Sequence, residues 1–173
     1  MQLTKYGVTL KRLTNDKIEL VRNWRNDPKI SQYMEFREYI TVEMQEKWFE
    51  KVNNDNNFFF IIEFEGKEIG LSNAKDIDYH LKTGEGGIFI YDDAYLNSDV
   101  SFRANLCGAD FFFEELDMNK LIAHILKNNK RAIQYNLFFG YKLQPDQDNV
   151  ENQLYYLEKK DYLKNREFIK KLL

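Results

Sequence analysis

The chain has one cysteine, two prolines, no long apolar run and no marked excess of either charge. Each shortage removes a class of protein. A lone Cys107 cannot close an internal disulfide, and no second cysteine stands beside it for a zinc site or a redox pair, so no metal is expected and a reducing compartment suits the chain. Pro28 and Pro145 sit at element boundaries, and no Gly/Ser-rich tract or repeat intervenes, so residues 1–173 are expected to form a single domain. The longest apolar run, 58–62, is too short to span a bilayer, and the N-terminus lacks an apolar signal core, which points to the cytoplasm. With 25 basic against 28 acidic residues, a net charge of −3 and no broad basic face, neither nucleic acid nor a membrane surface is an expected partner.

What is present is enough length and enough aromatic bulk for a core. A chain of 173 residues buries a core unaided, and the aromatic clusters 58–60 and 111–113 read as core rather than as a cofactor box. Alternation over 7–13 predicts a strand. Asn15 or Asp16 then offers a cap to a helix carrying Ile18, Leu20, Val21 and Trp24 at helical spacing, and Pro28 restarts the chain as a short helix. Thr41 caps a further helix with the apolar stripe Val42, Met44, Trp48, Phe49 and Val52. A hairpin over 58–64 and 69–74 turns at Glu65-Gly66-Lys67, and a strand at 86–91 follows. The rest reads as helix (102–116), strand (121–126), a helix from Asn129 closed by Gly140, strand (154–157) and a charged helix from Asp161. The order is that of an α/β fold with a mixed sheet.

Residues 129–141, NKRAIQYNLFFGY, resemble the pattern N-x-R-A-I-x-L-Y-x-x-L-G-F of the GNAT acetyltransferases. Arg131, Ala132, Ile133, Phe139, Gly140 and Tyr141 fall in register with it. The segment WRNDP at 24–28, followed by Ile30 and Met34, is similar to the substrate-side helix of family members that act on nucleotide-linked amino sugars, and ribosomal-protein and antibiotic acetyltransferases share parts of it. The resemblance implies a mostly antiparallel sheet flanked by helices, whose fourth and fifth strands splay to admit the pantetheine arm of acetyl-CoA. It also implies transfer of acetyl to a primary amine. The expected acceptor is an amino sugar or its nucleotide-linked form; a protein amine, or a scaffold that binds a ligand without the coenzyme, are the alternatives. A homodimer is the assembly to test for.

On this resemblance, main-chain groups of Ile88, Phe89, Ile90 and Tyr91 hold the pantetheine and the thioester oxygen. Gly86 and Gly87 either admit that ligand or merely begin the strand. The loop that follows departs from the family's Q/R-x-x-G-x-G/A, which cups the diphosphate at a helix N-terminus. Leu96 stands at its polar lead, Asp99 at the first glycine and Ser101 at the second. Ser98, Val100, Ser101, Phe102 and Arg103 are still expected at the phosphates, with Arg103 offsetting Asp99; alternatively Asp99 or Ser101 caps the helix. Asn129 and Ala132 complete the coenzyme contacts. For chemistry, Glu85 is the first candidate base and His124 the second, each weighed against a structural or surface role, while His80 falls in a loop. Asn136 takes the place of the family's acid tyrosine and would hydrogen-bond the departing sulfur. Trp24, Arg25 and Asn26 are expected on the acceptor side, Arg25 as a phosphate partner and Trp24 more by packing than by stacking on a ligand.

Overall fold

The computed structural model describes residues 1–173. At its N-terminal edge the apolar alternation forms a hairpin, β1 (Gln2–Lys5) with β2 (Val8–Arg12), in which Leu3 lies opposite Leu10. Its two-residue turn places Tyr6 at φ 58° and Gly7 at φ 79°, the pair of left-handed positions that matches the twist of the flanking strands. The strand expected over 7–13 therefore begins one residue later, and an unforeseen strand precedes it. A tyrosine in place of the usual Asn or Asp conceals this turn, and its hydroxyl donates to Asp110 at 2.6 Å.

Next come α1 (Ile18–Asn26), α2 (Pro28–Ser31) and α3 (Val42–Val52). Thr41 caps α3 as expected, its hydroxyl accepting from the Met44 amide at 3.2 Å. The Asn15 or Asp16 cap is not made: those residues form a single 3-10 turn, and Lys17, without a side-chain cap bond, leads into α1. The remaining elements are β3 (Phe58–Phe64), β4 (Lys67–Asp78), β5 (Thr83–Ile90), α4 (Val100–Asp110), β6 (Lys120–Leu126), α5 (Lys130–Phe139), β7 (Lys142–Leu143), β8 (Asn152–Glu158) and α6 (Lys159–Lys170). Gly140 ends α5 at φ 98°, as its position predicts. The helix expected over 102–116 starts two residues earlier and changes at Phe111 into a π turn, Phe111–Glu115. Three successive residues of an α-helix span about 200°. That is too wide for one buried face, yet Phe111, Phe112 and Phe113 are all buried.

All eight strands lie in one sheet, ordered β1-β2-β3-β4-β5-β6-β8-β7, and every neighbouring pair is antiparallel except β5 with β6. One face carries α4 to α6 over a core of 27 buried residues; the other carries α1 and α3 over only six, Leu13, Ile18, Val21, Trp24, Ile61 and Leu71. The thick face can therefore hold a frame while the thin face leaves room for a ligand. Within the frame, Asp110 accepts from Tyr6 and Tyr162 at 2.6 Å each and from Arg166 at 2.8 Å, and is paired with Lys5. Burial alone would raise this carboxyl's pKa, but the four donors together hold it below the ordinary value. The network ties the N-terminal hairpin to α4 and α6.

The parallel pair is short. Thr83, Gly84 and Glu85 pair with Lys120, Leu121 and Ile122, and beyond those rungs residues 86–90 and 123–126 have no partner across the gap. These are the splayed strands that the resemblance implies, shifted from fourth and fifth to fifth and sixth by the unforeseen β1.

Candidate active site

The open gap is lined by main chain. Tyr91 N–H donates to Ile69 O at 2.7 Å, toward β4, and antiparallel alternation turns Phe89 the same way. Ile88 and Ile90 therefore present their N–H and C=O groups to the gap. Of the four residues expected there, two offer polar backbone, whereas the N–H groups of Phe89 and Tyr91 are spent on the sheet. Gly87 answers a local need: a Cβ on it would lie 2.7 Å from Asn73 Oδ1.

At the mouth of the gap stands the N-terminus of α4. Asp99 holds the N-cap position, but neither it nor Ser101 makes a side-chain cap bond. Ser98 does so, its hydroxyl accepting from Val100 N–H at 3.3 Å while donating to Tyr95 O at 2.8 Å. The next two amides, of Ser101 and Phe102, have no acceptor within the protein and point from the helix end as free donors. The Phe102 ring packs on Phe139 with centroids 5.6 Å apart, so its amide and not its side chain is on offer. Arg103 does offset Asp99, donating to it at 2.6 Å, and this bond holds the Asp99 carboxyl below its usual range. The same guanidinium also donates to Tyr6 O at 3.1 Å and Leu173 O at 3.0 Å, which turns it toward the frame rather than toward a phosphate.

Across the mouth, Asn129 caps α5 by accepting from Ala132 N–H at 3.1 Å, leaving its own NH2 to donate outward. Arg131 donates to Leu96 O and so joins the two sides of the mouth. Asn136 bonds back to Ala132 O at 2.8 Å. Tyr135 donates to Ser101 O at 2.8 Å, and burial pushes its phenol pKa up. Tyr141, the more buried of the two, is also shifted upward, first by burial and then by the proximity of Tyr135 and Glu85, and its hydroxyl bonds to no other residue. The family pattern has a phenylalanine at the position of Tyr141, so nothing in the sequence marks its hydroxyl.

On the thin face, at the last rung before the gap, Glu85 and His124 meet. His124 Nδ1 lies 3.2 Å from one oxygen of Glu85, and Lys75 Nζ lies 3.4 Å from the other. The two bases considered separately in the sequence are thus one cluster. Lys75 was missed, although its place opposite Glu85 in the β4–β5 hairpin was the signal available. His80 lies apart in a turn, its amide bonded to Asp78.

Further along this face Trp24, 4% exposed, stacks on Tyr91 with centroids 5.4 Å apart, so its ring is packing. Tyr91 donates to Asp27 at 3.1 Å, and Lys29 Nζ sits 4.0 Å above the Tyr91 ring. Asn26 is turned away from any acceptor: its amide donates to Ile40 O at 2.9 Å and accepts from Ile40 N–H at 2.8 Å, bracing the 32–41 segment. Arg25 is the exception among the chain's seven arginines, being half-buried and without any hydrogen bond or ion pair. Desolvation lowers its pKa.

A gap edged by unpaired backbone, with free amides at a helix end beside it, suits an extended arm ending in a diphosphate. The pattern of the acetyltransferase (GNAT) domain matches residues 8–135 of the chain. The chain belongs to this GNAT acetyltransferase family. It is an N-acetyltransferase that uses acetyl-CoA on an amine. Acetyltransferase PseH of Campylobacter jejuni is 25% identical over 122 residues, which cover 70% of this chain and 74% of PseH. Spermidine N(1)-acetyltransferase of Escherichia coli is 22% identical over 140 residues, 80% of this chain and 75% of that one. Among solved structures, FdhC, described as a nucleotide-linked sugar GNAT, matches with TM-score 0.81 at 19% identity, covering 97% of this chain and 96% of its own. Spermidine N-acetyltransferase of Vibrio cholerae, in complex with CoA and spermine, matches with TM-score 0.79 at 21% identity, covering 91% and 98%. These last two show the fold. No helix of this GNAT chain is long and apolar enough to cross a membrane.

Proposed function

We propose that residues 1–173 act as one cytoplasmic N-acetyltransferase domain whose acceptor is an amino sugar carried on a nucleotide. The observation that carries this reading is Arg25, a half-buried guanidinium without a counter-charge, in the helix that packs Trp24 against the end of β5. A desolvated, unpaired cation is costly unless an anion meets it, and the phosphates of a nucleotide would do so bidentately. A polyamine would bring like charge toward both Arg25 and Lys29. PseH and the nucleotide-linked sugar GNAT among the relatives agree with this reading; the spermidine enzymes stand for the alternative.

On the coenzyme side, Ile88 and Ile90 would hold the pantetheine arm as an added strand, with Asn129 donating to it and Ala132 closing the same cap. The Ser101 and Phe102 amides would take the diphosphate on a platform shaped by Ser98 and Val100. A backbone N–H of the splayed strand would steady the developing oxyanion, and the second amide proton of Asn136 would reach the sulfur. The coenzyme supplies the activated acetyl group; the chain supplies the orientation and the proton acceptor. The test is a thiol-release assay on a UDP-linked amino sugar, the free amino sugar, spermidine and a peptide amine. The nucleotide-linked sugar should give the highest kcat/KM, and a higher value for spermidine or the peptide would overturn the reading.

A further inference from the structure

The gap and its last rung also decide how the proton leaves the amine, an inference that rests on the acetyl-transfer reading. Glu85 faces Ile122 at the final β5–β6 rung, and His124, two residues further along β6 on the same face, is the first such side chain past the point where the strands part. Both oxygens of Glu85 are engaged, one by Lys75 at 3.4 Å and one by His124 Nδ1 at 3.2 Å. Its side chain is 18% exposed, against 39% for His124. The carboxylate is the inner member of the pair and the imidazole the outer one.

We infer that His124 is the base that takes the amine's proton and that Glu85 is the positioning residue that fixes the imidazole for it. An ionised carboxylate only accepts hydrogen bonds, so the ring nitrogen facing it carries the hydrogen. Nδ1 with its hydrogen faces Glu85 at ion-pair distance, 3.2 Å, and in the neutral ring the lone pair is left on Nε2, at the exposed side. The amine, entering as the free base, forms an N–C bond to the thioester carbonyl. The C–S bond breaks with its electron pair on sulfur, and the proton shed by nitrogen passes to Nε2. From there it goes to the thiolate or to water, leaving an amide and a thiol. The positive charge formed on the ring appears beside the Glu85 carboxylate, as in other base–carboxylate pairs.

The charged and titratable groups around the ring fit this role. From β5 it meets Glu85, whose other oxygen is paired with Lys75 of β4, itself 3.4 Å from Asp76. From β8, Leu154 lies opposite His124, and Tyr156 lies opposite Ile122 with Lys120 Nζ 5.5 Å from its ring centroid. No cation bonds the imidazole directly, so its outer nitrogen is free for the amine.

The test uses the full chain. Nitrogen-detected NMR near neutral pH should show His124 with hydrogen on Nδ1; hydrogen on Nε2 overturns the assignment. His124→Gly should lower kcat by about 100-fold or more and regain activity with added imidazole, while coenzyme A affinity and melting temperature stay as in the parent chain. Glu85→Gln should cost less, roughly tenfold in kcat with KM little changed, and should remove the preference for hydrogen on Nδ1 in the same NMR spectrum. A His124→Gly enzyme that keeps its rate, or is not rescued, overturns the proposal, as does a Glu85→Gln enzyme that is the deader of the two. Should none of the offered acceptors react, the acceptor reading fails, and the NMR result still decides the pairing.

Discussion

Replacing Asp99 by glycine should tighten coenzyme A binding, by an amount that follows from the position of its partner. At roughly 6–8 Å from a diphosphate and an effective dielectric of about 20–40, one carboxylate charge is worth about 1–3 kcal/mol of repulsion. Asp99 does not act alone. Arg103 donates to it at 2.6 Å, and its side chain is 46% exposed, so solvent screens what the guanidinium does not cancel. The net repulsion falls to about 1 kcal/mol, or roughly fivefold in affinity. Removing the carboxylate also leaves the Arg103 charge uncompensated near the phosphates. Asp99→Gly should therefore bind coenzyme A about five- to tenfold more tightly in titration calorimetry at low salt, and the gain should shrink as salt is raised. Arg103→Ala should weaken binding by a similar factor. An Asp99→Gly affinity unchanged at low salt would refute this electrostatic account of the loop.

Arg25→Gln should raise KM for the nucleotide-linked acceptor by about 10- to 100-fold with kcat little changed, since a charge-assisted bond is worth about 1.5–3 kcal/mol; steady-state kinetics decide it. Asp110→Ala should destabilise the fold by about 3–5 kcal/mol in urea titrations, because Arg166, Lys5 and two phenols lose one shared acceptor. The folded pKa of Asp110 lies below its unfolded value, so its contribution is present above the unfolded value and is lost as pH falls through the folded one. Thermal melts should therefore show stability falling on the acid side of about pH 4, less so in Asp110→Asn. Gly84→Ala would set a Cβ 2.8 Å from the Phe112 ring and should cost about 1–3 kcal/mol by the same urea titrations.

Much of the fold could be read in advance because its signals are local. Residues 129–141 carry a cap, a helical stripe and a closing glycine within one segment, and Thr41 marks α3 by its side chain alone. The Tyr6-Gly7 turn was hidden because a contact distant in sequence, Tyr6 with Asp110, holds a residue that ordinarily avoids positive φ. The π turn was hidden for a related reason, since three successive phenylalanines are buried only because the turn lies between the sheet, where Phe111 meets Phe58, and α6, where Phe113 stacks on Tyr162. At the site, Glu85, His124 and Arg25 were nameable from residue type and family register. Their partners were not: Lys75 beside Glu85, the missing counter-charge at Arg25 and the Ile40 bonds that occupy Asn26 all depend on side chains brought together by folding.

Amide hydrogen exchange with and without acetyl-CoA tests most directly whether the divergence of β5 and β6 is where the coenzyme lies. Ile88, Ile90, Ser101 and Phe102 should gain protection on binding, while Tyr91, already bonded to Ile69, should change little. Binding that leaves the Ile88 and Ile90 amides exchanging as before would contradict the account.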